Sequence, residues 1–176
     1  MTGDLVRLRA MDPADADAQH RWFNDPEVRR HLAWRYPIAR DALAARLQGA
    51  ATASFANPRF SVERRDTGEL IGYAALRDVT PESRNGELDL VIGERSAWGQ
   101  GFGTDTTRVL CRYAFATLGL HRVHLWVFAE HAAAVRAYEK AGFVREGVAR
   151  DRFWKGGRWH DCLLMGRLAT DPEPAP

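Results

Sequence analysis

The chain has 176 residues, of which 45% are hydrophobic and 27% are charged, and this balance favours one globular domain large enough to bury a core. A net charge of +2, without a dense Lys/Arg block, does not predict bulk affinity for nucleic acid or for membranes. The chain shows no CxxC pair, no signal peptide and no run of about 18 apolar residues, which predicts a cytoplasmic protein with reduced thiols at Cys111 and Cys162.

The N-terminal part of the chain predicts a strand followed by two helices. Residues 5–11 alternate apolar and basic side chains, as a half-buried strand does. Asp12 followed by Pro13 is a typical helix start, because the aspartate caps the first turn and proline fits within it. Asp25-Pro26 repeats this signal and predicts a second, short helix that ends at about Leu32.

The middle of the chain predicts a further helix and a β-hairpin. Residues 40–53 are rich in alanine and leucine, which are strong helix formers. Residues 59–65 and 70–79 have strand character, and the polar turn between them contains Gly68. We therefore expect these two strands to pair in the antiparallel sense.

From residue 86 onward, predicted strands alternate with predicted helices. The first strand, 86–93, alternates strictly: one face carries Leu88, Leu90 and Ile92, and the other carries Glu87, Asp89 and Val91. The later elements are a helix over 104–119 capped by Gly119, a strand over 121–128, a helix over 131–142, and strands over 143–154 and 158–168. Because a helical crossover joins strands 86–93 and 121–128, we expect a parallel pair within a mixed α/β sheet.

Three glycines, Gly99, Gly101 and Gly103, lie between the first of these strands and its following helix. A helix start offers free N–H groups and a positive dipole end, and glycines let an anion approach the backbone. A Walker loop is absent, and the dinucleotide or kinase GxGxxG pattern fails because Thr104 and Thr106 stand where its third glycine would be. From the loop alone, an anion site and a simple connecting turn both remain open.

Four segments together resemble the GNAT superfamily of N-acetyltransferases. Residues 86–107, with "WGQGFGTDTT", resemble its acetyl-CoA pyrophosphate loop, and "EHAAAVRAYEKAGF" at 130–143 resembles its second signature. Residues 5–32 and 147–168 resemble the opening and the closing hairpin of the RimJ/RimL branch, which acetylates ribosomal-protein N-termini and related amines. The likeness runs in order through about residues 4–168.

This resemblance implies a fold and a cosubstrate. The fold is a mixed, mostly antiparallel sheet of about seven strands with a central parallel pair and helices on both faces. Residues 1–169 would form a single acetyltransferase domain, and the polar, proline-rich residues 170–176 a disordered tail. Acetyl-CoA is the implied cosubstrate and an amine the partner, and a homodimer is compatible with the family. His121 and His124 lack further ligands at zinc spacing, so no metal is expected.

The resemblance also implies which residues hold acetyl-CoA. The expected contacts are Val91, Ile92, Gly93, Trp98, Gly99, Gln100, Gly101, Phe102, Gly103, Thr104, His131 and Lys140. Lys140 and Arg136 could approach phosphates or remain surface charges. Two positions depart from the superfamily pattern, because Trp98 replaces a polar residue and His131 replaces an asparagine.

Acetyl transfer to an amine needs a base for the amine and an acid for the departing thiolate. The resemblance implies Glu87 as the base, acting through water, and Tyr138 as the acid. Asp89 shares the face of Glu87, and repulsion between two carboxylates would help one of them to hold a proton. The alternatives are a solvated strand carboxylate and a packing tyrosine.

The implied acceptor wall comprises His20, Trp22, Trp34 and Tyr36, together with Asp89. Core or rim packing is the alternative for the four ring residues. The branch favours a peptide or protein N-terminal amine as the acceptor. The alternatives are a small amine such as an aminoglycoside or a polyamine, and a non-catalytic module that senses acyl-CoA.

Overall fold

The computed structural model of the protein describes residues 1–33, 36–50 and 55–174. Trp34 and the last part of the helix expected over 40–53 lie outside the described residues. Among the helices of the described ranges, none combines the length and apolar character needed to cross a membrane.

Within these ranges, seven strands form one mixed sheet. The strands are β1 Val6–Ala10, β2 Arg59–Arg64, β3 Leu70–Thr80, β4 Asn85–Ile92, β5 Arg122–Phe128, β6 Val144–Lys155 and β7 Arg158–Leu168. Their order is β1-β2-β3-β4-β5-β7-β6, and every neighbouring pair is antiparallel except the parallel pair β4–β5. The predicted mixed sheet, its hairpins and its single parallel pair are confirmed.

Helices cover both faces of the sheet. They are α1 Ala16–Asn24, α2 Pro26–Arg29, α3 Arg40–Ala50, α4 Phe102–Arg112 and α5 Ala132–Lys140. On one face, α1, α2 and α3 pack Phe23 and Leu43 against Tyr73 and Val91 of the sheet. On the other face, α4 and α5 belong to a separate, larger core. The strict alternation of β4 divides its side chains between these two cores, as predicted.

The first two helices begin where the capping signals predict, but α2 is shorter than expected. Asp12 accepts a hydrogen bond from the N–H of Ala14 at 2.8 Å and opens a short 3-10 turn that leads into α1. The expected end of α2 at Leu32 is wrong, since α2 ends at Arg29. The carbonyl groups of Arg29, Arg30 and Leu32 instead accept from the ammonium of Lys155 on β6.

Helix α4 begins at Phe102, two residues before the predicted start. Gly101 occupies the N-cap position with a φ of 89°, a left-handed conformation that glycine adopts without strain. Gly103 and Thr104 therefore belong to the first turn of the helix. After α4 a π-helical turn, Tyr113–Thr117, completes the predicted span, and Gly119 ends it with a φ of 67°.

Strands β4 and β5 part soon after they meet. Their parallel ladder joins Asn85 to Arg122, Gly86 to Val123 and Glu87 to His124, and both strands are fully described without a further pair between them. Beyond Glu87, β4 stays paired with β3, and β5 stays paired with β7. A wedge, called here the β4–β5 opening, therefore separates the two strands beyond Glu87.

Asp105 fastens the start of β1 to the first turn of α4. Its buried carboxylate accepts from the backbone N–H groups of Leu5 at 2.7 Å, Val6 at 2.9 Å and Asp4 at 3.2 Å. The neighbouring Gly3 has no room for a side chain, because an added Cβ would lie 2.6 Å from Asp105 Oδ1. One carboxylate thus positions a terminal strand against the helix.

Replacing Asp105 with alanine is expected to lower the free energy of unfolding by about 3 kcal/mol, because three backbone donors lose a buried acceptor together. Urea unfolding monitored by circular dichroism measures this loss. Asp66→Ala, which removes only an exposed ion pair with Arg64, is the control and should leave the stability nearly unchanged. Equal stability of the two variants would contradict the role assigned to Asp105.

Candidate active site

Trp22 packs against the loop that follows β4 and fixes its position. Gly93 donates its N–H to the carbonyl of Ile71 at 2.8 Å, and a side chain at Gly93 would overlap the Trp22 ring. The Trp22 Nε1 atom donates to Glu94 Oε1 at 2.9 Å, which fixes the next residue as well. Trp22 is 2% exposed, so the structure places this predicted acceptor residue beneath the loop.

The glycine-rich turn leaves backbone donors at the start of α4. Gly99 and Gly101 have φ values of 73° and 89°, and the helix has no side-chain N-cap. The N–H groups of Phe102, Gly103 and Thr104 lie in the first turn, where no intrahelical carbonyl can accept from them. Such a group of donors at the positive end of a helix dipole suits a diphosphate.

The side chains of the loop brace it from outside. Trp98 is 42% exposed and donates its Nε1–H to the carbonyl of Ile92 at 2.8 Å. Gln100 donates its side-chain amide to the carbonyl of Ser96, and Phe102 is buried beneath the guanidinium of Arg64 at 5.2 Å. These three predicted contact residues therefore shape the loop, while its backbone N–H groups remain for a ligand.

A groove extends from this turn between α4 and α5. It is lined by Gly101, Thr104, Arg108 and Lys140, with residues 171–174 at its far side. Arg108 donates to the carbonyl of Lys140 at 2.9 Å, which ties the end of α5 to α4. Acidic side chains such as Glu139 also line the groove. The free backbone donors of the turn, rather than the charge of the groove as a whole, therefore suit a diphosphate.

Glu87 and Asp89 share one cation. Glu87 Oε1 accepts from Arg77 Nη2 at 2.7 Å, and Asp89 Oδ2 lies 3.8 Å from Arg77 Nε. The repulsion expected between the two carboxylates is therefore opposed by a positive charge that was not foreseen. Glu87 is also the last residue of β4 that pairs with β5, so it lies at the apex of the β4–β5 opening.

Tyr138 lies on α5, the helix that follows β5 in the chain. It packs against the core and contacts Phe143, with ring centroids 6.0 Å apart. Loss of water around its hydroxyl raises the pKa of Tyr138, and the negative charge of Asp89 raises it further. Tyr138 therefore stays protonated at neutral pH and can donate a proton or a hydrogen bond.

A cavity lies between α1, α3 and the sheet, and Asp89 forms part of its wall. It is a partly enclosed pocket rather than a closed void. Its lining residues are Met11, Gln19, Phe23, Arg46, Leu47, Arg59, Tyr73, Ala75, Arg77 and Asp89. Since Asp89 lies on β4 two residues beyond the last pair with β5, the cavity adjoins the β4–β5 opening.

The other predicted acceptor residues do not line this cavity. His20 is half-buried on α1, Tyr36 is 76% exposed, and Trp34 lies outside the described residues. His131 precedes α5 and stacks on His31, with ring centroids 4.0 Å apart. Burial, together with the charge of the neighbouring His31, lowers the pKa of His131 to about 4, so the ring is neutral at pH 7.

Sequence reasoning missed Gln19, Arg46, Arg59, Tyr73 and Arg77. The predicted hairpin contained a usable signal for two of them. Pairing its strands would have placed Arg59 and Arg77 on one sheet face, because residues two apart on a strand share a face. The position of Arg46 could not be predicted in this way, because it depends on how α3 packs on the sheet.

Comparisons with known proteins agree with this architecture. Residues 6–144 match the family model of the acetyltransferase (GNAT) domain. An uncharacterized N-acetyltransferase of Bacillus subtilis, YoaA, is 30% identical over 161 residues, which cover 90% of each chain. Spermidine N(1)-acetyltransferase of Vibrio cholerae is 34% identical over 110 residues, 62% of each chain. A crystal structure of spermidine N-acetyltransferase from Vibrio cholerae with CoA and spermine has a TM-score of 0.86 and 28% identity, covering 95% of this chain and 97% of that one.

Proposed function

We propose, since this chain belongs to the GNAT acetyltransferase family, that it acetylates a primary amine of a small acceptor by direct attack. It is an acetyl-CoA-dependent N-acetyltransferase, and the acceptor and residue roles are our proposal. The observation that carries the proposal is the β4–β5 opening. Free helix-start donors lie at one end of it, and Glu87, Asp89 and Tyr138 lie along its sides.

The residues at the opening fit acetyl-CoA. The backbone of Gly99, Gly101 and Gly103 would hold the diphosphate, and Lys140 would face a phosphate along the groove. The backbone of Val91 to Gly93 would bind the pantetheine arm beside β4. Acetyl-CoA supplies an activated acetyl thioester when it is bound and leaves as a thiol.

The reaction then requires two proton transfers, one from the amine and one to the departing sulfur. At pH 7, deprotonating an α-amine with a pKa near 7.7–8.0 costs about 1 kcal/mol, and deprotonating a lysine-like amine near 10.4 costs about 4–5 kcal/mol. Glu87 would accept this proton through water, with Arg77 holding the carboxylate in place. Tyr138 would donate the second proton to the sulfur.

The shape of the pocket favours a small acceptor. It is partly enclosed beneath α1 and α3 and combines apolar with polar side chains, which suits a small molecule better than a folded protein terminus. The similar proteins from Vibrio cholerae are named for spermidine, which is also a small amine. The peptide or protein N-terminal amine implied by the RimJ/RimL resemblance stays a prediction.

Thiol release from acetyl-CoA, measured with a panel of amines and followed by mass spectrometry of the products, tests the proposal. We expect an N-acetylated small amine and one equivalent of thiol. Acetylation of peptide N-termini alone would instead support the peptide acceptor that the RimJ/RimL resemblance implies. Tight CoA binding without turnover of any amine would favour the acyl-CoA sensor.

Glu87→Gln is expected to lower kcat/KM by roughly 100-fold at pH 7, while CoA affinity stays near normal. The loss should shrink as the pH rises, because a larger fraction of the amine is then already neutral. Steady-state kinetics across pH, beside CoA binding, measure both effects. Glu69→Gln, at an exposed turn position, is the control. If Asp89→Asn causes the larger loss, the base is Asp89 instead.

A further inference from the structure

The cavity beside the opening is lined by more positive than negative groups. Arg46 from α3, Arg59 from β2 and Arg77 from β3 contribute guanidinium groups. Asp89 is the single acidic residue among the described residues that line it. An acceptor bound here therefore meets an excess of positive charge away from the amine site.

The register of the sheet sets the spacing of these charges. Arg59 of β2 is paired with Ala75 of β3, which is paired in turn with Asp89 of β4. Paired residues in antiparallel strands share a face, and neighbouring strands lie about 4.8 Å apart, so Arg59 and Asp89 begin roughly 10 Å apart. Ala75 adds only a methyl group between them and leaves the floor of the cavity open.

The arginines differ in what they contact. Arg77 is engaged by Glu87 and Asp89 near the opening. The backbone of Arg59 pairs with β3, while its guanidinium has no hydrogen bond or ion pair with any other part of the chain that the structure describes. Arg46 lines the same cavity as Arg59. Partial loss of water lowers the pKa of Arg46, and the positive charge of Arg59 lowers it further.

Two neighbouring guanidinium groups in a cavity suit a carboxylate, which accepts charge-assisted hydrogen bonds from arginine. Gln19 and the hydroxyl of Tyr73 add neutral polar groups to the same wall. Burial raises the pKa of Tyr73 well above its usual range, and the charge of Asp89 raises it further, so its hydroxyl stays protonated. The walls formed by Met11, Phe23 and Leu47 limit water around such an anion.

We propose that the acceptor is a small amino carboxylate, with its carboxylate bound by Arg59 and Arg46 and its amine directed toward Asp89 and the opening. This inference rests on the proposed acetyl transfer. The amine nitrogen forms a bond to the acetyl carbon and loses one proton, the bond from that carbon to sulfur breaks, and the sulfur gains one proton. The products are an N-acetylated amino carboxylate and CoA. A polyamine would bring further positive charge against three arginines and is disfavoured.

Matched acceptors test this directly. The common amino acids are first screened as acceptors. For each one that is turned over, kcat/KM is then compared with that of its carboxamide, of its decarboxylated amine and of spermidine. We expect kcat/KM to be roughly 100-fold higher for the carboxylate form. Equal rates for the three forms, or a preference for spermidine, would overturn the inference and leave the proposed function standing. Turnover of none of these amines would overturn both.

Two variants test the assigned residues. Arg59→Met and Arg46→Met should each lower the ratio of kcat/KM for the carboxylate form to that for the decarboxylated amine by about tenfold or more. Arg40→Met is the control, since Arg40 lies at the exposed start of the same helix as Arg46 and pairs with Asp17. Calorimetry of the preferred amino acid binding to the protein without acetyl-CoA gives a readout that does not depend on turnover. An unchanged ratio of the two kcat/KM values in the variants, or no binding of the amino acid, would overturn the inference. If a variant fails to fold, the comparison of acceptors with the wild-type protein decides the question.

Discussion

Gly101→Val is expected to weaken CoA binding at least about 100-fold and to remove acetyl transfer with it. Gly101 has a φ of 89°, a conformation that costs a β-branched residue roughly 1–3 kcal/mol. A Cβ there would also lie 3.2 Å from Leu5 Cδ1. The turn must therefore change shape, and the N–H groups of Phe102 to Thr104 lose their common direction. Calorimetry with CoA measures the binding loss without relying on activity.

A matched glycine separates lost binding from lost stability. Gly119 has a φ of 67° at the other end of the same helical segment, and the atom nearest to an added Cβ, Arg84 Nη2, is 3.8 Å away. Gly119→Val should therefore carry comparable backbone strain while CoA binding stays near normal. If both variants bind CoA equally well, the turn after β4 is not the diphosphate site.

The glycine-rich turn, where we propose that the diphosphate binds, followed most directly from the sequence. Three glycines between a strand and a helix pointed to backbone donors, and the helix does begin among them. The position of the boundary was less predictable, because Gly103 disfavours a helix interior but is tolerated in a first turn. The side chains of Trp98 and Gln100 could be named but not oriented, since their bonds to Ile92 and Ser96 depend on the folded loop.

Strand pairing was predictable where the pattern is local. The hairpin of β2 and β3 and the crossover from β4 to β5 follow from alternation, turn residues and the handedness of crossovers. The end of α2 did not follow from local signals. Its carbonyl groups are taken by Lys155, which is more than 120 residues further along the chain. Tertiary contacts of this kind override a capping pattern.

The cavity that we propose for the acceptor shows the same limit. Arg46, Arg59 and Arg77 are separated in the sequence, and each alone resembles a solvated surface charge. The sheet register brings Arg59 and Arg77 to one face, and α3 adds Arg46 above it. A site made from α1, α3, β2, β3 and β4 acquires its charge only when these elements pack, so the mixture of acids and arginines in the sequence could not identify an acceptor.

Tyr138→Phe is expected to lower kcat by about 100-fold if Tyr138 protonates the departing sulfur. Phenylalanine keeps the ring and its packing against Phe143 and removes only the hydroxyl. Tyr113→Phe is the matched control. Tyr113 is a second partly buried tyrosine of the same core, packed edge-to-face on Phe60 at 5.3 Å and distant from the assigned chemistry. Its variant should keep the wild-type kcat, and CoA affinity should be unchanged in both.

The pH dependence of kcat gives an independent check on Tyr138. Burial and the charge of Asp89 raise the pKa of Tyr138 above its usual value near 10. An acid must be protonated to act, so its contribution is present below that raised pKa and is lost only as the pH passes it. We therefore expect the wild-type kcat not to fall between pH 7 and about 10 on account of this group. A fall of kcat near neutral pH that disappears in Tyr138→Phe would contradict the raised pKa, and an unchanged kcat in the variant would remove Tyr138 from the reaction.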